Sequence, residues 1–110
     1  VPFEVGHGSI ISLGFRIANL AYLPDVADIP GPAWEALKNL DIWIVDALRR
    51  EPHPTHSHLA HTLKWIDEVA PKQAVLTNMH IDLDYDTVLS ETPDHVEPAY
   101  DGMTLPLPAP

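Results

Sequence analysis

The chain has 110 residues, no cysteine, and 16 Asp+Glu against 6 Lys+Arg, for a formal net charge of −10. Such a length holds one domain at most, the lack of thiols excludes disulfides and thiolate metal sites, and the acidic balance disfavours long nucleic acid and anionic membrane as partners. Hydrophobic residues make up 45% of the chain, enough for a folded core. No apolar run approaches the roughly 18 residues that a membrane-spanning helix needs. Val1-Pro2-Phe3-Glu4 lacks the basic start of a signal peptide, so the cytoplasm is the default expectation. The chain opens on Val rather than Met, in what reads as mid-strand, and is expected to be a piece of something longer.

In chain order, Val1 to Val5 alternates weakly and reads as a strand ending at Gly6-His7-Gly8. Ile10 to Ile17 predicts a second strand, Ala18-Asn19 a tight turn, and Leu20 to Leu23 a third strand, closed by Pro24 with Asp25 just beyond. Trp34, Leu37 and Leu40 at helical spacing predict a short amphipathic helix over Ala33 to Leu40. Asp41 to Asp46 is apolar on both faces and predicts a central strand. After a loop punctuated by Pro52 and Pro54, Leu59, Leu63, Ile66 and Val69 predict a helix from about His58 to Ala70, with Thr55 or Ser57 as its cap. Pro71 ends it, Gln73 to Thr77 returns as a strand, Tyr85 to Ser90 predicts a second helix, and Val96 to Leu105 a final extended segment. The fold class is therefore α/β, a mixed sheet with helices on one face, in a single unit 1–110 whose residues 104–110 form an extended tail.

Three positions share one design, an apolar strand, a break, then a His or Asp: His7, Asp25 and His80. Imidazole and carboxylate are the donors preferred by zinc, manganese and iron(II) in hydrolytic sites, and no local CxxC-type spacing points to a structural finger. On the residues alone, these three are either ligands at a sheet rim or unrelated polar caps. His53, His56, His58 and His61 form a dense tract. His58 and His61 are expected on the outer face of their helix, and His53 and His95 in surface loops. His56 precedes the helix N-terminus, which suits anion contact or general acid work. Asp46 and Asp84 are candidate hydrogen-bond supports for metal-bound imidazoles, as is Asp82, one of the last two being expected to cap the following helix. No GxSxG context and no phosphate-cradling glycine loop is present.

Val5-Gly6-His7-Gly8, Leu13-Gly14-Phe15-Arg16-Ile17 and Ala21-Tyr22-Leu23-Pro24-Asp25, followed by Ile44 to Arg49, Pro54-Thr55-His56, Leu76-Thr77-Asn78-Met79-His80 and Tyr100-Asp101-Gly102-Met103, carry a family resemblance. Their order resembles the C-terminal half of the metallo-β-lactamase superfamily, in the phosphodiesterase branch that holds the phosphonate-operon cyclic phosphodiesterases and is akin to ribonuclease Z. The resemblance implies half of an αββα sandwich. It also implies a site with two divalent metal ions, zinc or manganese, in which His7 and His80 each bind one metal, Asp25 bridges them and His56 contacts the phosphate or protonates the leaving oxygen. The family's His-x-His-x-Asp-His run is not within the chain, and the resemblance places it upstream of Val1. Asn78 stands where relatives often carry His.

The expected function is metal-dependent hydrolysis of a cyclic or small nucleotide or ribose phosphodiester, by a chain that alone is inactive. The expected partners are that small substrate and the chain's own N-terminal half, with no membrane; a homodimer is left open. The competing reading is a non-catalytic mixed-sheet module with a surface His tract.

Overall fold

A computed structural model of the protein describes residues 1–80 and 83–107. Asp82 and the last three residues of the expected tail thus lie outside the described residues. Among those described, six strands form one sheet in sequential order: β1 (Pro2–His7), β2 (Ile10–Ile17), β3 (Leu20–Leu23), β4 (Ile42–Asp46), β5 (Gln73–Thr77) and β6 (Val96–Pro98). The first three pair antiparallel and the rest parallel. Parallel neighbours need crossovers. These are a 3-10 helix (Gly31–Leu37), helix α1 (Leu59–Val69) and helix α2 (Tyr85–Glu91).

Register explains the core. Pairing places Ala21, Trp43, Ala74 and Val96 in one row and Leu23, Val45 and Leu76 in the next, all on one face of the sheet. That face is fully buried and joins Leu59, Trp65 and Ile66 of α1 and Val88 of α2 in a continuous core. The opposite face is different. Ile11, Leu13, Phe15 and Ile17 of β2 and Tyr22 of β3 point there, each between 41% and 67% exposed. Strand β2 therefore gives its small and polar residues, Ser12, Gly14 and Arg16, to the helical side and its apolar residues to the open side.

The differences from the sequence reading have local causes. The helix expected over Ala33 to Leu40 is a 3-10 helix starting at Gly31, with Pro30 before it and no side-chain cap. It stops at Lys38, which is extended, ahead of Asn39 at φ +57°. The Arg16 guanidinium also holds this end, donating to the carbonyls of Ala36 and Lys38 and to Asn19 Oδ1. Helix α1 is preceded by His58 rather than capped by Thr55 or Ser57; the Ser57 hydroxyl lies instead against the His58 carbonyl and Thr62 Oγ1. The final extended segment is strand only over Val96–Pro98, since Met103 N–H bonds back to Tyr100 O and turns the chain. No described helix is long and apolar enough to cross a membrane.

Candidate metal centre

The parallel strands β3 to β6 all point their C-terminal ends to one rim, and the following loops are cross-tied there. Ser57 N–H donates to Val26 O, His80 N–H to Leu48 O, and Ala27 N–H to Gly6 O. These bonds join the loops after β3, β4 and β5 to one another and to the end of β1. The β1–β2 turn approaches still closer, because Gly8 at φ +67° leaves room for the Pro54–Thr55 backbone beside it.

His7, Asp25 and His56 meet at this rim. One donor atom from each lies within 4.8 Å of the other two, although the residues come from the end of β1 and from two separate loops. The His7 and His56 rings stand edge to face with centroids 4.7 Å apart. Each imidazole has its Nδ1 committed elsewhere. His7 Nδ1 lies 2.5 Å from the Thr55 carbonyl, which accepts its proton. His56 Nδ1 lies 2.7 Å from Asp46 Oδ2. Such bonds fix the tautomer and leave each Nε2 as the free nitrogen. Three half-buried imidazole and carboxylate groups converging this tightly fit a divalent cation of the zinc or manganese type.

Asp46 is fully buried at the end of β4. Its Oδ2 also accepts the Val26 amide, while Oδ1 is buried with no hydrogen-bond partner within range among the described residues. Burial pushes this carboxyl up from the ordinary carboxylate value, opposed by the His56 and Val26 hydrogen bonds. The Thr62 hydroxyl of α1 donates to the Asp46 carbonyl and lies 2.7 Å from Ser57 Oγ, so the strand end is clamped by the helix core.

The remaining candidates fall elsewhere. His80 is exposed on the loop after β5, outside the three-residue group but on the same rim. Asp84 caps α2, accepting from the amide and hydroxyl of Thr87. His53 lies in a loop, as expected, and there packs its ring 5.3 Å from that of His56 and accepts the Thr55 amide at Nδ1. Its proline-flanked position in the tract was the one available signal. Asn78 also reaches the site, with Nδ2 3.3 Å from His56 Nδ1. His58 and His61 form a separate pair, His61 lying against Trp65 with centroids 4.1 Å apart, and His95 is exposed.

Three comparisons bear on this rim. The family described as the beta-lactamase superfamily domain matches residues 1–81. A solved structure described as a new diphosphatase from the PhnP family superposes with a TM-score of 0.95 at 34% identity, covering 98% of this chain and 43% of that one. The short form of human tRNase Z (ELAC1) superposes at 0.75 with 19% identity, covering 98% of this chain and 42% of that one, which shows a shared fold. A protein of Porphyromonas gingivalis named octanoyltransferase is 30% identical over 105 residues, which is 93% of this chain and 21% of that protein. The chain thus spans less than half of the structures it resembles and about a fifth of that curated relative.

Proposed function

Because the chain belongs to the metallo-β-lactamase superfamily, with a family match over residues 1–81, we propose that it carries one half of a metal-dependent hydrolase site acting on a small phosphodiester. The convergence of His7, Asp25 and His56 from the end of β1 and two loops is the observation that carries this reading. His7 through Nε2, the Asp25 carboxylate and His80 on the same rim would hold the metal ions, with further ligands from the rest of the domain. Two divalent cations, zinc or manganese, would supply charge stabilisation at the phosphoryl oxygens and a water acidic enough to attack near neutral pH.

The chain's own residues do the rest. His56 Nε2 carries the proton that passes to the departing oxygen. Asp46 holds the other ring nitrogen as a donor and stabilises the imidazolium before transfer. A buried carboxylate is suited to that task, since it orients the ring in a site from which water is excluded. The open apolar face of β2 and β3 supports the second half of the proposal, that the chain's N-terminal half lays a further sheet across it in an αββα arrangement. Sheets pack face to face at about 10 Å through such apolar rows.

The likeness to a diphosphatase favours a second substrate class, a phosphoanhydride, at the same site. Elemental analysis and a panel of diesters and diphosphates, run on the protein extended by its upstream half, separate these readings. The expected result is bound divalent metal that is lost in Asp25→Ala, turnover of diesters, and an Asp46→Asn variant that keeps its metal but loses about 10- to 100-fold in kcat. Turnover confined to diphosphates selects the anhydride. Absence of metal from the wild-type protein overturns the hydrolase.

A further inference from the structure

His53 adjoins the metal rim, and the proposed reaction gives it no task. Its half-exposed ring stands 5.3 Å from that of His56 at 61°, yet it lies outside the His7–Asp25–His56 group. It therefore neighbours the proton donor rather than the metal donors. Its loop is held in place at several points. Pro52 and Pro54 fix the backbone on either side, and the Arg49 guanidinium donates to the carbonyls of Glu51 and Pro52. Leu59 N–H to Arg49 O and Leu48 N–H to Ser57 O close the loop at its base.

The rings of His7, His56 and His53 differ in tautomer. His7 Nδ1 faces the Thr55 carbonyl and His56 Nδ1 the Asp46 carboxylate, so in neutral form both carry Nδ1–H and offer a bare Nε2. His53 is reversed. Its Nδ1 lies 3.1 Å from the Thr55 amide, which can only donate, with the Thr55 hydroxyl also in range at 3.3 Å. A proton on Nδ1 would point at the amide hydrogen, so Nδ1 stays bare and Nε2 holds the proton. An Nε2–H nitrogen has no lone pair for a metal ion, and a neutral imidazole does not release that proton near neutral pH. What it can do is donate a hydrogen bond without setting a second cation beside a protonated His56. The Thr55 contact alone does not need an imidazole, since an Asn or Asp side chain closes the same turn.

We propose that His53 is a further catalytic residue, donating its Nε2–H to the departing oxygen while His56 delivers the proton. The oxygen of water joins phosphorus, and the bond to the departing oxygen breaks with its electron pair left on that oxygen. His56 protonates it, the proton lost by the water restores His56, and His53 keeps its own. Such a donor counts most where the departing oxygen is most basic, because the charge developing there is least delocalised. The proposal rests on the hydrolase reading of the rim and adds activation of the leaving group to it.

Two substitutions in the protein together with its upstream half separate the ring's two nitrogens. The Asn side-chain oxygen overlays imidazole Nδ1, so His53→Asn keeps the Thr55 bond and removes the donor. The Gln amide nitrogen overlays Nε2, so His53→Gln keeps a donor and gives up the Thr55 bond. Methyl aryl phosphates with para-nitrophenol, para-chlorophenol and phenol as leaving groups are the substrates. His53→Asn is expected to lower kcat about 100-fold for phenol and at most about 3-fold for para-nitrophenol, at unchanged metal content. A displaced His56 would also weigh on the poorer leaving groups, so recovery of most of the phenol rate in His53→Gln is the deciding arm. Nitrogen-15 spectra of the histidine-labelled wild type, with the His53 signals assigned by their loss in His53→Asn, should show the ring protonated at Nε2 alone. A loss equal across the three esters, a His53→Gln variant as slow as His53→Asn, or a proton on His53 Nδ1 overturns the proposal, while wild-type turnover still upholds the hydrolase. A wild-type protein that turns over none of the esters removes the hydrolase reading, and the role of His53 with it.

Discussion

A Cβ built on Gly8 would lie 2.5 Å from Thr55 Cγ2 and 3.1 Å from the Pro54 carbonyl, at a residue whose φ of +67° already disfavours a side chain. Both penalties act on the contact that brings His7 to His56. The same Thr55 whose methyl would be struck offers its carbonyl to His7 Nδ1 and its amide to His53 Nδ1. Gly8→Ala is therefore expected to destabilise the fold by about 1–3 kcal/mol, read as a lower urea midpoint. Metal affinity should fall further than that loss explains, because the Thr55 loop must retreat from His7. A variant of reduced stability with unchanged metal affinity would show that the loop gives way without moving the imidazoles. His7 and Asp25 were legible in the sequence because each follows an apolar strand at a forced break. The place of His53 was not, since it depends on how Pro52 and Pro54 fold the loop back over His56.

At the scale of elements, α2 has little core of its own, with Val88 its one buried side chain. The Arg50 guanidinium ties it to the β4–α1 loop by two bonds to Glu91, at 2.8 and 2.7 Å. That guanidinium holds the Glu91 carboxyl below its ordinary value of 4.5. A carboxyl depressed in the folded state stabilises above its unfolded value, and the contribution disappears as pH falls through the folded one. The melting temperature of Glu91→Gln should thus lie below wild type at pH 7 and converge with it on acidification below about 4.5, or in about 0.5 M salt. A gap that persists in acid would assign the loss to packing instead. Pattern reading reached the bounds of β2, β3 and β5, where strictly placed Gly, Pro and turn residues punctuate apolar runs. It missed the 3-10 geometry of Gly31–Leu37, since Trp34, Leu37 and Leu40 fit either helix and the choice is made by the Arg16 bonds to Ala36 and Lys38. It also overextended β6, because nothing local marks the turn at Tyr100 until Gly102.

The whole molecule is one-sided. Alternation in β2 assigns Ile11, Leu13, Phe15 and Ile17 to the face where, with Tyr22, they stand 41–67% exposed, and Ser12, Gly14 and Arg16 to the side of the helices. A strand with one solvated face normally shows the reverse. On an acidic chain of this size, contiguous exposed Ile, Leu, Phe and Tyr mark a surface meant for another layer. The argument yields a quantitative contrast. If the N-terminal half lays a sheet here, Leu13→Ala and Phe15→Ala in the longer protein are core truncations, each costing about 2–5 kcal/mol. In the 110-residue chain alone the same side chains lie in water and should cost within about 0.5 kcal/mol. Leu76→Ala, fully buried under α1 in either context, is the internal control and should be expensive in both. Urea midpoints of the six variants, each against its wild-type parent, decide it. Small costs for Leu13→Ala and Phe15→Ala in the longer protein would mean that its remaining residues fold elsewhere, leaving the metal rim without the second sheet that the proposed hydrolase requires.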